Sequence, residues 1–393
     1  MTANAAMRLA RRMDDIAPFF VMEIQRRAFE LERLGRRVVH MEIGQPDFGA
    51  PPSVVASASA ALASERMGYT DSLGIWPLRE AIARFYAERY AVDIDPEHVI
   101  VTAGASGAFL LAFGTLFDPA DELLLPDPCY PCNRHFARMF EARARMIPVG
   151  PESRYQLLPE HLDEHWNERT RGVMLASPSN PTGTCVPTAS LKAIAERCRD
   201  HGGLLIVDEI YQGLRYDGAE QTALSVAPEA VVVNSFSKYF SMTGWRIGWM
   251  VVPEALVRGV ERFAQNAFIC PSAPAQHAAL AALDAPALEE FELRRQEFAR
   301  RRDFIIPALE EMGFRIRVRP EGAFYIYADC SALTVDSGTF AIDVLESAGV
   351  AITPGRDFGH HLPERHVRFA YTRSIAELEE GCRRLRAFVR AGG

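Results

Sequence analysis

Between about residue 53 and residue 282 the sequence alternates between stretches with helical periodicity and short, mostly apolar runs. The helical stretches are residues 53–63, 76–90, 105–117, 131–140, 188–201 and 253–266. The apolar runs are residues 122–125, 144–149, 172–176, 204–207, 231–234 and 247–252. Runs this short with few polar positions describe strands covered on both faces. Alternating with helices, they predict an α/β fold built on a mostly parallel sheet. Ligands in such folds collect beyond the carboxyl ends of the strands, so residues just after each run are the first candidates for a site.

After Pro286 the pattern changes. A long charged helical stretch reaches about residue 311, followed by runs at 315–318 and 323–328, a helix near 339–347, runs at 350–353 and 367–371, and a last helix over 375–389. This reads as a smaller α+β unit with the long helix as connector. The expected organisation is an N-terminal segment (1–48) that joins the small unit and covers the site, a large ligand-binding domain (49–285), and a small C-terminal α+β domain (286–393).

Lysine usage narrows the chemistry. Lys occurs only at 192 and 238 among 43 basic residues, so arginine serves wherever a generic positive charge suffices. A guanidinium stays protonated and is a poor nucleophile, which leaves the two lysines as candidates for work only an amine can do. Lys192 lies in an amphipathic helical stretch, where solvation explains it. Lys238 lies in NSFSKYFSMTGWRIGWM (234–250), which leaves one apolar run and enters another with Ser235, Ser237, Lys238, Thr243 and Arg246 close together. Hydroxyls with an arginine suit a phosphate dianion, and a lysine among them can reach an aldehyde held by that phosphate. The plainer alternative is a surface loop with a solvated lysine.

Three further segments follow apolar runs. LLIVDEIY (204–211) ends in Asp208, a carboxylate able to pair with a protonated pyridine nitrogen, with Tyr211 able to give a phenol hydrogen bond to a ring oxygen. A strand-end Asp that caps the next turn is the alternative. SPSNPTG (177–183) fixes a rigid loop whose Asn180 amide can donate to a phenolate or serve as a structural Asx turn. TAGASGA (102–108) opens a helix, where backbone N–H groups and Ser106 offer an anion site.

Together these segments resemble the fold-type I enzymes that use pyridoxal 5'-phosphate (PLP), specifically the class I aminotransferases of the aspartate aminotransferase superfamily. The likeness runs through nearly the whole chain in order: EIGQPDF (42–48), YTDSLGIWPLREAIA (69–83), TAGASGA, PDPCYPCN (126–133), SPSNPTG, VDEIY (207–211), SFSKYFSMTGWRIG (235–248), EGAFYIY (321–327) and VRFAY (367–371). It implies a seven-stranded type of sheet in the large domain. It implies that Lys238 carries the cofactor as a Schiff base and shuttles a proton, in a ping-pong transfer of an amino group from an L-amino acid to a 2-oxo acid. By the same likeness Asp208 is the pyridinium partner, Tyr211 and Asn180 face the ring hydroxyl, and Tyr130 stacks on the ring. Ala105, Ser106, Ser235, Ser237 and Arg246 form the phosphate cup. Tyr69 matches a tyrosine that reaches the neighbouring subunit's phosphate, which implies a homodimer with shared sites. Arg368 matches the clamp on the substrate α-carboxylate, helped by Asn180 and the backbone of Gly44.

Some features depart from that pattern or compete with it. Ala105 stands where Gly is common. Some aspartate-specific relatives carry a Lys in the phosphate turn where this chain has Ser106. That departure, with the apolar segment IAPFFVM (16–22) as a lid, points to neutral or aromatic substrates. Cys129 and Cys132 form a C-x-x-C with no second pair, and His360–His361 is a lone pair in a loop; neither reads as a metal site. The main functional alternative is PLP-dependent β-elimination, a carbon–sulfur lyase or related synthase on the same fold. An aminotransferase-like regulator is disfavoured, because Gly44 already belongs to the enzyme body and leaves no room for a DNA-binding module.

Charge and cysteine content close off other classes. The net charge is −8, with no basic run dense enough to follow a phosphate backbone, so nucleic acid is not an expected partner. No apolar stretch is long enough to cross a bilayer, so no membrane is expected either. Arg8, Arg11 and Arg12 are followed by Asp14 and Asp15 rather than an apolar segment, which gives no secretory or transit signal. Seven cysteines, an odd number in a large chain, argue against a disulfide framework. The expected location is the cytoplasm.

Overall fold

In a computed structural model, which describes residues 8–64 and 67–392, the strands are β1 (Val39–His40), β2 (Val99–Thr102), β3 (Glu122–Asp127), β4 (Arg143–Pro148), β5 (Thr170–Ala176), β6 (Leu204–Asp208), β7 (Val231–Ser235), β8 (Gly248–Val251), β9 (Tyr325–Asp329), β10 (Val350–Ala351), β11 (Thr353–Pro354) and β12 (His366–Ala370). The large sheet has seven strands in the order β2-β8-β7-β6-β5-β3-β4. β7, β6, β5, β3 and β4 pair in parallel. The fold is thus the α/β class with a mostly parallel large sheet.

β8 is the exception, antiparallel to both β7 and β2. The reason lies in the connection. Only residues 236–247 separate β7 from β8, and their one element is the short 3-10 turn Thr243–Trp245. A parallel return usually runs through a full crossover helix; with none in this connection, the chain doubles back beside β7. β2 was not among the expected runs; VIVT is short, but its β-branched residues fit a pleated, buried strand.

Both faces of the sheet are buried, as the continuous apolar runs require. Along β6, Leu205 and Val207 join one core while Ile206 joins the other; along β5, Val173 and Leu175 separate in the same way from Met174. Residues alternate between faces with period two, so helices on each side complete two layers of packing.

The smaller unit is a three-stranded antiparallel sheet, β11-β12-β9. Helix Ala285–Glu310 has 26 residues and joins it to the large sheet; at 1.5 Å per residue it is about 39 Å long. It buries Phe291, Phe298, Ile305 and Leu309, a stripe of i+7 and i+4 spacings that is one helix face. The last helix, Ile375–Arg390, starts at a capping box between Ser374 and Glu377. The expected run 315–318 forms no strand: only Arg315 bridges to Asp329.

Near the N-terminus β1 pairs with β10. Before it runs helix Phe20–Arg33, which buries Ile24, Ala28 and Leu31. This helix was not among the sequence expectations. Its charged residues mask an i, i+4, i+7 stripe of apolar positions.

Candidate active site

The carboxyl end of β6 and the loop after β7 open into a cavity of about 490 Å³. Its lining includes Gly44, Ala105, Ser106, Tyr130, Asn180, Asp208, Tyr211, Ser237, Lys238, Arg246 and Arg368. These residues come from widely separated segments, and the alternation of strand and helix is what brings the strand ends to one edge.

Lys238 follows β7, half-buried, and its Nζ donates to the carbonyl of Gly44 at 2.7 Å. Burial, with the Arg368 and Arg246 charges nearby, lowers its pKa to about 8. Lys192, by contrast, is exposed on helix Thr188–Asp200.

Asp208 is the last residue of β6 and is 4% exposed. One carboxylate oxygen accepts the Ile210 N–H at 3.0 Å. Burial pushes the carboxyl up to about 7, against that bond and the attraction of Lys238. A buried carboxyl with so little compensation is matched to a cationic N–H.

Arg368, on β12, is buried, and among the described residues it has no carboxylate partner. Nη1 donates to Asn180 Oδ1 at 2.9 Å, and Nη2 donates to the Glu42 carbonyl and to Thr353 Oγ1. Its Nε has no hydrogen-bond partner among the described residues. The guanidinium sits between the rings of Tyr325, at 4.3 Å, and Phe358, at 4.8 Å, a geometry that holds a planar cation flat. An unpaired buried guanidinium suits a carboxylate. Its bond to Asn180 also fixes that amide with Oδ1 toward the arginine, leaving Nδ2 as the donor.

The third corner suits a phosphate. Helix Gly104–Leu116 begins there with no side-chain cap of its own, so its first N–H groups, with the positive end of the helix dipole, remain for an anion. Gly104 has φ +69° and lies so close to Arg246 that a Cβ would come 2.8 Å from Nη2. Arg246 itself is left-handed, at φ +51°, with Nη1 on the Thr243 carbonyl at 3.0 Å. Ser237 lies beside it in the lining. Ser235 does not line the cavity; its Oγ donates to the Ile247 carbonyl and accepts the Ser237 N–H at 3.1 Å, with Ser237 Oγ 2.9 Å away, so it braces Ser237 from behind. Tyr69 is not in the lining of one chain and is 84% exposed.

The site also holds residues the sequence reading did not single out. Tyr325 Oη is 2.7 Å from Tyr211 Oη. It lies in EGAFYIY, one of the segments that carry the family likeness, and that placement was the available signal. Phe19, Val21, Met22, Ile43, Phe109 and Phe136 supply apolar walls. Of the competing features, Cys129 is buried and its Sγ contacts the Tyr130 carbonyl at 3.7 Å. The backbone N–H groups of His360 and His361 both donate to Asp127.

The donor set fits PLP: one half-buried amine of lowered pKa, a buried carboxyl of raised pKa, a glycine-opened anion cup and a second anion grip at Arg368. Comparison with known proteins agrees. Residues 36–385 match the family described as aminotransferase class I and II. The chain is similar to a valine–pyruvate aminotransferase of Mycobacterium tuberculosis (strain ATCC 25618 / H37Rv), 40% identical over 99% of each chain. It is 33% identical to an aspartate aminotransferase of Geobacillus stearothermophilus over 98% of this chain and all of the relative. The crystal structure of an aminotransferase from Mycobacterium tuberculosis superposes with a TM-score of 0.95 at 40% identity, covering 98% of this chain and 100% of that one.

Proposed function

The chain belongs to the class I and II aminotransferases, and on that premise we propose that it moves amino groups between L-amino acids with uncharged, apolar side chains and 2-oxo acids, by a ping-pong mechanism centred on Lys238. It is a PLP-dependent transaminase. Attached to an amine, PLP supplies an aldehyde carbon that takes up the substrate nitrogen and a ring that accepts the electrons released at Cα.

The roles of the side chains follow from their surroundings. Arg368 binds the substrate α-carboxylate, with Asn180 and the Gly44 backbone beside it, and so orients Cα. Lys238, once released from the cofactor, would take the proton from Cα and deliver it to the cofactor carbon that carries the nitrogen; a pKa of about 8 suits that exchange near neutral pH. Asp208 would pair with the ring N–H, Tyr211 and the Asn180 amide would donate to the ring oxygen, and Tyr130 would pack on the ring face. Ser106, Ser237, Arg246 and the N–H groups of Ala105 and Ser106 would hold the phosphate, with Ser235 supporting Ser237.

The observation that carries the substrate class is the composition of the remaining wall. Among the described residues, Lys238, Arg246 and Arg368 are the cations lining the cavity, and each has a role above. Phe19, Val21, Met22 and Ile43 offer a side chain only apolar contact. A second carboxylate buried there without a partner loses its hydration uncompensated, whereas a methyl group is stabilised by leaving water. The relative named for valine and pyruvate supports the same reading. In a donor screen with the PLP-loaded enzyme, kcat/KM for L-valine or L-alanine with a 2-oxo acid exceeds that for L-aspartate by at least about tenfold. Strong turnover of aspartate with weak turnover of both neutral donors overturns the assignment.

We also read the chain as residues 1–48, 49–285 and 286–393, with the first segment covering the site. A homodimer is the proposed assembly. Tyr69 and Arg246 are both exposed in one chain, which suits a partner that completes the phosphate cup. A cytoplasmic location is supported by seven free thiols. Among the described residues no helix is long and apolar enough to cross a membrane.

A further inference from the structure

One fixed point of the cavity lies just outside its lining. Asp357, in the short turn Gly355–Asp357, is 2% exposed. Its Oδ1 accepts the N–H of Phe20 at 3.0 Å, and its Oδ2 accepts that of Val21 at 3.2 Å. These are the first two amides of helix Phe20–Arg33, whose N-cap residue, Phe19, has no side-chain acceptor. Two charge-assisted bonds at the positive end of a helix are a strong local attachment. Phe19, Val21 and Met22, on that same first turn, line the cavity.

The turn that carries Asp357 is itself held firmly. Arg134 Nη2 donates to the Asp357 carbonyl at 3.1 Å, and the Cys129 N–H donates to the Phe358 carbonyl at 2.9 Å. Asp127, at the end of β3, accepts the N–H groups of His360 and His361 at 2.9 and 3.2 Å. Gly359 permits this approach, since a Cβ there would fall 1.6 Å from Asp127 Oδ1. The neighbouring Phe358 ring lies against the Arg368 guanidinium. A single short segment therefore braces the carboxylate-binding arginine with one residue and the apolar wall with the residue before it.

We propose that Asp357 is a positioning residue for substrate specificity: it fixes the first turn of helix Phe20–Arg33 so that Phe19, Val21 and Met22 close over the substrate side chain in register with Arg368. The proposal rests on the reading of this cavity as the amino-acid site. A substrate whose side chain is only a methyl group gains little from that wall, whereas a branched side chain packs against it.

The test uses Asp357→Ala and Asp357→Asn in the PLP-loaded enzyme. Amide hydrogen exchange, measured without substrate, accelerates at Phe20 and Val21 in both variants, and less in Asp357→Asn because one acceptor oxygen remains. The KM for L-valine rises about tenfold in Asp357→Ala and about threefold in Asp357→Asn, with kcat changed by less than about twofold. The KM for L-alanine stays near that of the unmodified enzyme. Unchanged exchange at both amides overturns the proposal, as does an equal rise in KM for valine and alanine, which a merely structural role would give. If Asp357→Ala does not fold, Asp357→Asn decides by the same two readouts. If valine is not a substrate, the substrate assignment fails on its own; exchange, and KM for the bulkiest donor that is turned over compared with the smallest, then judge Asp357 separately.

Discussion

Lys238 and Asp208 are displaced from their ordinary pKa values in opposite directions by one cause. Burial disfavours whichever form is charged, so the amine is pushed down to about 8 and the carboxyl up to about 7. For Asp208 this has a consequence for stability in the cofactor-free protein. The unfolded chain gives up this proton near the ordinary value of 3.8, while the folded chain keeps it to about 7. Between those values the folded state binds the extra proton, so stability falls as pH rises, by at most about 1.4 kcal/mol per pH unit from this group. The contribution is fully present below about pH 4 and gone above the folded value of about 7. Asp208→Asn is neutral throughout and removes that slope. Urea midpoints of the cofactor-free wild type and variant, measured across the window, diverge with rising pH; parallel curves contradict a raised Asp208.

At the scale of elements, what was legible and what was not divide by physical cause. Helix Trp76–Tyr90 and the strands β5, β6 and β7 follow from local patterning, because apolar runs and helical periodicity are properties of neighbouring residues. The loop after β7 was legible as a site because Ser237, Lys238 and Arg246 are close in sequence. The direction of β8 was not legible from its apolar run, since buried strands of either direction look alike. Helix Phe20–Arg33 was also missed, and its start depends on Asp357, more than three hundred residues away. Tyr325 went unassigned for a similar reason: its importance lies in contacts with Tyr211 and Gly44 that no local pattern encodes. A Cβ at Gly44 would fall 1.6 Å from the Tyr325 hydroxyl. Gly44→Ala therefore forces apart the segment that accepts the Lys238 amine and the strand that flanks Arg368. Overpacking of this kind costs about 1–3 kcal/mol, and kcat/KM falls about tenfold or more. Steady-state kinetics on the PLP-loaded variant check this; wild-type kcat/KM contradicts the close packing.

For the whole molecule, the site is assembled from segments far apart in the chain. Lys238, Asp208 and Asn180 come from the large sheet, Arg368 and Tyr325 from the smaller one, and Gly44 from the N-terminal segment. The order of these parts was readable in the sequence; their relative placement comes from tertiary packing. Everything chemical depends on which amine carries the cofactor, and the chain has only two lysines, one exposed and one in the cavity. The most direct measurement is borohydride reduction of the PLP-loaded enzyme followed by peptide mass analysis. The account predicts the reduced coenzyme bound to Lys238 and absent from Lys192. Coenzyme fixed to Lys192, or to neither lysine in a protein that is folded and reconstituted, would contradict it.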